Sequence, residues 1–273
     1  MNNFICATCG TQFRATEEPP PRCPICEDPR QYVPAEGQQW TTMAELGTEH
    51  RNAWQECEPR LLGIGTVPEF AIGQRALLLR TAEGNFLWDC ITLLDDATIA
   101  LIRSLGGLRG IAISHPHYYT TMVEWSRAFG DAPIHLHAAD REWVMHPDDA
   151  IRFWEGEENE LAPEVTLRRC GGHFPGGTIL HWRNGAGGRG ALFTGDILQV
   201  TAARTVSFMS SYPNLLPLPP RAIERLAQKV EGLDFDRIYG AFWERVIPAN
   251  GREIVRQSVV RYLAAINSLA SIG

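Results

Sequence analysis

The chain has 273 residues, 44% of them hydrophobic and 21% charged, so it can bury a large core but has room for only one large domain and a small one. Its formal net charge of −7 gives no general attraction to nucleic acid or to anionic lipid. No apolar run approaches the roughly 20 residues that cross a bilayer, and the first residues lack a basic-then-apolar signal peptide. We therefore expect a cytoplasmic protein that binds neither nucleic acid nor membrane.

Four of the seven cysteines form two Cys-x-x-Cys pairs in a short polar segment, Cys6 with Cys9 and Cys23 with Cys26. Four thiolates on two tight turns suit a tetrahedral zinc ion. Disulfides need an oxidising compartment, which the expected location does not provide. A rubredoxin-like iron centre is the nearer rival, but the gap of only 13 residues between the pairs favours a short ribbon. The sequence thus predicts a four-cysteine zinc ribbon over residues 1–34.

The sequence indicates the metal ligands of this ribbon more specifically than it indicates the ribbon's role. A closed site of four cysteines is usually structural, and a segment this small needs its metal in order to fold. The charged side chains of the segment offset one another, so no basic face for nucleic acid stands out. They are Arg14, Glu17, Glu18, Arg22, Glu27, Asp28 and Arg30. We interpret the ribbon as a stabilising or docking appendage, which leaves a protein partner at the ribbon open.

A polar connector with one helix signal follows over residues 35–58. Thr42 and Glu45 have the spacing of a capping box, in which each side chain binds the backbone N–H of the other at the start of a helix. Trp40 and Trp54 flank this helix and can pack the ribbon onto the rest of the chain. The remaining residues, 59–273, are predicted to form the main domain.

Within the main domain, strand patterns alternate with helix patterns. Strands are predicted at 61–66, 75–80, 86–89, 110–113, 165–169, 178–182, 191–193 and 237–239. Helices are predicted to begin at Asp95 or Asp96, Thr121, Pro219 and Arg252. This order is consistent with an αββα sandwich but does not exclude other α/β folds.

The segment Ser114-His115-Pro116-His117-Tyr118-Tyr119-Thr120 directly follows the predicted strand at 110–113. Two histidines one residue apart at the end of a strand can aim both rings at one point, which is metal-ligand geometry. His173, in a Gly-Gly-His-Phe-Pro-Gly turn, and Asp196, after another strand, follow later in the chain. A second pair, His135 and His137, has the same spacing but no glycine-rich turn to present it, so we do not expect it to bind metal.

In this order the residues resemble the metallo-β-lactamase fold family, whose pattern is His-x-His-x-Asp-His, then a lone His, an Asp and a final His. Four residues match it, within a resemblance that covers roughly residues 60–265: His115, His117, His173 and Asp196. Three positions depart from it: Tyr119 replaces the Asp, Thr120 replaces the second-site His, and Ala241 or Phe242 replaces the final His. The resemblance implies a four-layer αββα sandwich in which the first metal site keeps its ligands and the second metal site has lost them.

One zinc or iron ion is therefore expected in this pocket, besides the structural zinc of the ribbon. Asp196 can be a ligand or can orient a water molecule beside the ion. Tyr119 is a candidate general acid, although filling the vacated volume explains an aromatic side chain equally well. Aromatic residues in the segments where family members build their substrate mouth favour an apolar or flat small-molecule ligand. These are Phe208, Tyr212, Phe242 and Trp243.

Three functions stay open. The first is a hydrolase with a single catalytic ion that activates water for attack on an ester, amide, lactone, thioester or phosphoester. The second is a non-enzymatic relative that binds a small molecule or a protein, because the loss of three ligand positions is typical of such drift. The third is a mononuclear iron oxygenase acting on a persulfide-like sulfur substrate. Members with that activity hold iron with two His and one Asp, but they keep the complete pattern, which this chain lacks.

Overall fold

The computed structural model describes residues 1–270, with side chains up to residue 266. The chain divides into two compact units, the first over Met1–Trp154 and the second from Glu155 onward. Positions 271–273, which the predicted main domain includes, lie outside the described residues. Within residues 1–270, no helix combines the length and the hydropathy that a bilayer-spanning segment needs. The predicted division into ribbon, connector and main domain stays a prediction.

The first unit begins with four short elements: β1 (Ile5–Cys6), α1 (Pro24–Glu27), β2 (Trp40–Thr41) and α2 (Met43–Glu49). Strands β1 and β2 pair antiparallel, with Cys6 opposite Trp40. The predicted capping box is confirmed, since Glu45 N–H donates to Thr42 Oγ1 at 3.3 Å and Thr42 N–H donates to the Glu45 carboxylate at 2.9 Å. The Cys-rich segment is thus tied by backbone pairing to the residues just before α2.

A seven-stranded sheet forms most of the first unit, in the order β3-β4-β5-β6-β7-β8-β9. Its strands are β3 (Arg51–Glu58), β4 (Leu61–Val67), β5 (Ala76–Thr81), β6 (Gly84–Trp88), β7 (Gly110–Ala112), β8 (Ile134–His137) and β9 (Ile151–Trp154). The first four strands pair antiparallel through hairpins, and the last three pairings are parallel. Strand β3 comes from the second half of the predicted connector.

Parallel pairing needs crossovers, which α3 (Asp96–Ser104) and α4 (Met122–Ala128) supply between β6, β7 and β8. The carboxyl ends of these three strands therefore meet at one edge of the sheet, where binding sites of α/β proteins concentrate. Asp89 follows β6 at this edge, and His115 follows β7. Four consecutive residues of β5, from Ala76 to Leu79, are buried, so both faces of the sheet are covered at this strand.

The second unit contains a six-stranded sheet in the order β10-β11-β12-β13-β18-β19, in which only β13 and β18 pair parallel. Its strands are β10 (Glu158–Ala162), β11 (Val165–Arg169), β12 (Thr178–Trp182), β13 (Ala191–Phe193), β18 (Arg237–Tyr239) and β19 (Val246–Ile247). Two small hairpins lie between β13 and β18 in the chain. The first pairs β14 (Gln199–Val200) with β15 (Val206–Ser207), and the second pairs β16 (Met209–Ser211) with β17 (Leu216–Pro217).

The helices of the second unit are α5 (Gly185–Gly188), α6 (Pro220–Glu231) and α7 (Gly251–Ala270). Leu226 of α6 and Val255 of α7 join Ile179, Leu192 and Ile238 of the sheet in one buried apolar cluster. This cluster fixes the sheet from whose strand ends His173 and Asp196 project. Mixed α/β content with several sheets confirms the predicted fold class.

Candidate metal centres

The four cysteines of the predicted ribbon form one buried group, with their Sγ atoms within 4.8 Å of one another. Cys6 Sγ lies 3.5 Å from Cys26 Sγ, and Cys9 Sγ lies 3.7 Å from Cys23 Sγ. A Zn–S distance of about 2.3 Å gives a tetrahedral S···S edge of about 3.8 Å, whereas a disulfide bond is only about 2.05 Å long. The four thiols are free, and their spacing fits a tetrahedral ion. The segment is consistent with a small zinc ribbon.

Each Cys-x-x-Cys pair sits on a tight turn that the backbone enforces. After the first pair, Gly10 adopts a left-handed conformation (φ 78°), and its N–H donates to the Cys6 carbonyl at 2.8 Å. Cys6 Sγ also accepts from Cys9 N–H at 3.5 Å and from Gln38 Nε2 at 3.0 Å. Hydrogen bonds to sulfur stabilise the thiolate form that binds metal.

At the carboxyl end of β7, the chain turns so that two histidines face inward. His115 precedes a short 3-10 helix, Pro116–Tyr118, which contains His117. The two imidazole rings lie 5.1 Å apart between centroids, and both side chains are buried. Pro116 suits the first position of a helix because it lacks an N–H to satisfy, and so it fixes the turn between the two rings.

His115 is oriented by its neighbour. Ser114 Oγ lies 2.8 Å from His115 Nδ1, and Ser114 N–H donates to the carboxylate of Asp89 at 2.7 Å. Asp89 is buried at the end of β6, on the edge where β7 also ends. Because Nδ1 is engaged by the serine hydroxyl, Nε2 is the nitrogen that can take a metal.

In the second unit, His173 lies in the glycine-rich turn between β11 and β12. Its Nδ1 lies 3.2 Å from the carbonyl oxygen of Met209 on β16. A carbonyl only accepts hydrogen bonds, so Nδ1 carries the proton and Nε2 carries the lone pair. His173 is therefore held in the tautomer that a metal ligand needs.

Asp196 follows β13 in a tight turn whose Gly195 has a positive φ of 51°. Gln199 Nε2 donates to Asp196 Oδ1 at 3.2 Å, and the hydroxyl of Tyr212 donates to the Asp196 backbone carbonyl at 2.9 Å. Burial and the charge of Asp196 raise the pKa of Tyr212 well above its usual value, so the hydroxyl stays a donor. The Tyr212 ring also contacts His173, at 5.7 Å between centroids.

The four residues that the sequence matched to the first metal site form one group. One ligand atom from each of His115, His117, His173 and Asp196 lies within 4.8 Å of the others, and all four side chains are buried. Three imidazoles and a carboxylate are a donor set that zinc and iron both accept, and 4.8 Å is close enough for one ion to reach all four. The group fits a single ion.

Within residues 1–270, only the four-cysteine and His/Asp groups bring at least three His, Cys, Asp or Glu side chains within reach of one ion. Tyr119 and Thr120 are buried, and burial together with the charge of Asp140 raises the pKa of Tyr119 well above 10. Ala241 is buried and Phe242 half-buried, in the turn between β18 and β19. The positions of the family's second site thus carry no such donor group.

The pair His135 and His137 lies on β8, outside both groups. Burial, with the charge of Arg152 opposite on β9, lowers the pKa of His135 to about 4, so it is neutral at pH 7. His137 Nδ1 accepts from the N–H of Ala139 at 3.1 Å, and its ring packs on Trp154. Local contacts account for His137.

Sequence reasoning missed the roles of three residues around the His/Asp group: Asp89, Ser114 and Met209. Ser114 and Asp89 had a local signal, because each follows a strand whose carboxyl end lies at the same edge. Met209 had none, since it acts through a backbone carbonyl 36 residues from His173. Among the aromatic residues expected at a substrate mouth, Phe208 instead is fully buried in the core of the second unit, against Tyr262.

Comparison with known proteins supplies a close relative. The protein described as "Uncharacterized protein YmaE" from Bacillus subtilis (strain 168) is 50% identical over 271 residues, covering 98% of each chain. This chain belongs to the YmaE family. No model of a described protein family matches it.

Solved structures show what fold the YmaE family member has. DIM-1 metallo-β-lactamase matches with a TM-score of 0.59 and 13% identity, covering 77% of this chain and 96% of that one. VMB-1 matches with a TM-score of 0.58 and 10% identity, covering 79% and 98%. A HARLDQ-motif mutant of a Cronobacter sakazakii metallo-β-lactamase matches with a TM-score of 0.51 and 18% identity, covering 80% and 98%. The predicted metallo-β-lactamase fold is confirmed.

Proposed function

We propose that this YmaE family member is a hydrolase with a single catalytic metal ion. One observation carries the proposal: four buried side chains of the right donor types converge within 4.8 Å in a chain with the metallo-β-lactamase fold. The proposed ligands are His115, His117, His173 and Asp196. The substrate class is an ester, amide, lactone, thioester or phosphoester, each of which water can cleave at an electrophilic carbon or phosphorus.

A divalent ion held by these four side chains would supply Lewis acidity and would lower the pKa of a coordinated water from about 15.7 to about 7. The protein's part is to hold the ligands in one orientation. Ser114 and the Met209 carbonyl fix the rings of His115 and His173 through Nδ1. Gln199 limits rotation of the Asp196 carboxylate, which is then placed to accept a proton from the attacking water or to ligate the ion.

Tyr119 enters the proposal as a proton donor toward the substrate. Its pKa lies well above 10 because it is buried and close to the charge of Asp140, so the phenol keeps its proton throughout the neutral range. A group of this kind can donate a hydrogen bond to a leaving-group oxygen but cannot act as a base near pH 7. Tyr119 occupies the position at which the metallo-β-lactamase pattern has a metal-ligating Asp, which supports this role.

For the ribbon we propose zinc, and for the pocket either zinc or iron, since His and Asp ligands accept both. A cytoplasmic location is part of the proposal. Its support is that four of the seven cysteines lie at distances that suit thiolates around one metal ion, a use of cysteine that is more typical of reducing compartments than disulfides are.

The test of the proposed function is turnover of a panel of chromogenic esters, lactones, thioesters and phosphoesters by protein loaded with zinc or ferrous iron. Asp196→Asn keeps the shape of the side chain but removes its charge, and it is expected to lower kcat/KM by about 10²- to 10⁴-fold. Asp131→Asn, an exposed position with a positive φ that Asn tolerates well, is the matched control.

No turnover of any class by the loaded protein, or equal turnover by both variants, would contradict the hydrolase. Oxygen consumption with a persulfide would replace it with the oxygenase. A folded, loaded protein inactive in both assays would support the binding protein instead.

The hairpin of β16 and β17 supports a substrate with an apolar portion. At its base the Met209 carbonyl contacts His173, and in its turn the Tyr212 hydroxyl contacts the backbone carbonyl of Asp196. Its tip exposes two large apolar side chains, Leu215 at 78% and Leu216 at 47% of their full area. An apolar tip attached to two proposed ligands is placed to cover an acyl or aryl group of the substrate.

Leu215→Ser is accordingly expected to raise KM about tenfold while kcat stays within about twofold, because a lost apolar contact of about 1.5 kcal/mol acts on bound substrate and transition state alike. Steady-state kinetics on the best ester of the panel measures this change. Leu101→Ser, at an exposed apolar position on α3 outside the hairpin, serves as control and should change neither constant. An unchanged KM for Leu215→Ser would remove the hairpin from substrate binding.

A further inference from the structure

The turn that follows the first Cys pair packs directly against the loop that carries His117. The carbonyl of Gly10 accepts a hydrogen bond from Thr92 Oγ1 at 3.3 Å. A Cβ atom on Gly10 would lie 2.2 Å from that same Oγ1 and 3.6 Å from Thr120 Cγ2. With its φ of 78°, this position is therefore closed to any side chain on two grounds, backbone conformation and contact.

Two residues further on, Gln12 contacts the same loop and the helix after it. Its backbone N–H donates to the Thr120 carbonyl at 3.0 Å. Its side-chain oxygen accepts from His146 Nδ1 at 3.0 Å, and its amide nitrogen lies 3.4 Å from a carboxylate oxygen of Glu124 on α4. Gln12 is only 2% exposed, so these contacts replace water for a buried polar side chain. Gln12, a polar residue of a type that is usually exposed, is therefore buried and connects the ribbon to the loop after β7 and to α4.

The residue that Gln12 holds is in an unusual conformation. Thr120 has a φ of 37°, which is rare for a β-branched residue, and it is buried. Thr92 supports the next residue as well, since its carbonyl accepts from Thr121 Oγ1 at 2.7 Å. A strained backbone persists only where its surroundings over-determine it. Here those surroundings include Gln12 of the ribbon and Thr92, which also binds Gly10.

The group of four cysteines itself is packed from outside the ribbon. Ile72, Trp143 and Met145 contact the apolar cluster that the cysteines form with Ile25. Phe13 and Trp40 complete this cluster and lie edge to face at 5.0 Å. The ribbon is therefore not a separate appendage on a linker. Gly10 directly follows Cys9 and donates its N–H to the Cys6 carbonyl, and Gln12 lies two residues further on, so both adjoin the turn that carries the first thiolate pair.

We propose that the four-cysteine ribbon is a positioning element for the His/Asp centre, so that an ion bound at the four thiolates strengthens binding of the ion in the pocket. The ribbon ion fixes Gly10 and Gln12, these fix Thr120, and Thr120 fixes the short turn that presents His117. The inference rests on the pocket ion of the proposed function. Coupling of this kind is reciprocal, and a factor of about 5 to 150 is typical.

The probe is cobalt(II). Four thiolates give it sulfur-to-metal charge-transfer absorption, which a site of imidazoles and a carboxylate lacks, so the two sites can be titrated separately on the full chain. Gly10→Ala is compared with Gly37→Ala. Both glycines lie in the predicted ribbon or just after it and have positive φ, 78° and 88°, but a Cβ on Gly37 meets nothing within 4 Å.

We expect Gly10→Ala to weaken cobalt binding in the pocket at least about tenfold, with the charge-transfer band at full intensity, while Gly37→Ala leaves pocket affinity unchanged. By reciprocity, His115→Ala should weaken cobalt binding at the thiolates by a similar factor. Equal pocket affinities in the two glycine variants, with both ribbons loaded, would overturn the inference.

If Gly10→Ala does not fold, Thr92→Val is the second variant, because it removes the hydroxyl that binds Gly10 at nearly constant volume. It should weaken pocket binding by about fivefold, and an unchanged affinity would overturn the inference as well. A wild-type chain that binds cobalt only at the thiolates would overturn the proposed function, and the coupling with it. Normal pocket binding without coupling would overturn the coupling alone.

Discussion

Replacing His173 by alanine is expected to abolish binding of the pocket ion while the ribbon keeps its own. His173 supplies one of four buried donors, and its tautomer is set by the Met209 carbonyl. Loss of an outer-shell partner alone typically costs 10- to 100-fold in metal affinity, so loss of a ligand should cost more than about 100-fold. Competition with a chromophoric chelator measures the change.

The control for this experiment is His135→Ala. His135 is a half-buried histidine that belongs to neither candidate metal group. Its replacement should leave the metal content unchanged. An ion that survives in the His173 variant, or disappears with His135, would show that the pocket ion is held elsewhere.

Replacing Cys23 by serine is expected to have the second large effect, on stability. Cys23 is fully buried and faces Cys9 across the thiolate group. Binding of structural zinc contributes about 10–16 kcal/mol in zinc-finger peptides at pH 7, and this free energy is available to folding. Loss of even about 3–5 kcal/mol lowers the melting temperature of a chain of this size by about 5–9 °C. Differential scanning calorimetry with elemental analysis provides both readouts.

Cys57→Ser is the matched control, since Cys57 is half-buried on β3 and lies outside the four-cysteine group. We expect it to keep both ions and to melt close to the wild type. A Cys23 variant that retains the ribbon ion and melts with the wild type would mean that the four thiols do not hold a structural metal.

Local signals in the sequence indicated an α/β domain and the residues of both donor groups, whereas the αββα sandwich was predicted from the family resemblance. The Cys-x-x-Cys pairs, the His115–His117 spacing and the Thr42–Glu45 capping box are each read within a few residues, because a tight turn or a helix start places them together. His173 and Asp196 were found through turns that follow strands. The order of the motifs, compared with the family pattern, added the prediction that His115, His117, His173 and Asp196 form one metal site.

The parts that escaped prediction depend on backbone atoms and on long-range contacts. The Met209 carbonyl orients His173 without any side-chain signature, and strands of two or three residues, such as β14 to β17, are too short to show a period. Gln12 has the composition of a surface residue, and only the packed ribbon reveals that it is buried. Its contact with Thr120 joins residues more than 100 positions apart in sequence, which no local pattern encodes.

The most direct test of this account is the metal content of the purified wild type at saturating zinc or ferrous iron, beside two variants. One variant replaces Cys6, Cys9, Cys23 and Cys26, and the other is His115→Ala. We predict about two ions per chain in the wild type, with one lost in each variant. A folded wild type with a single ion that disappears when the four cysteines are replaced would contradict the catalytic centre and leave a chain whose only metal is structural.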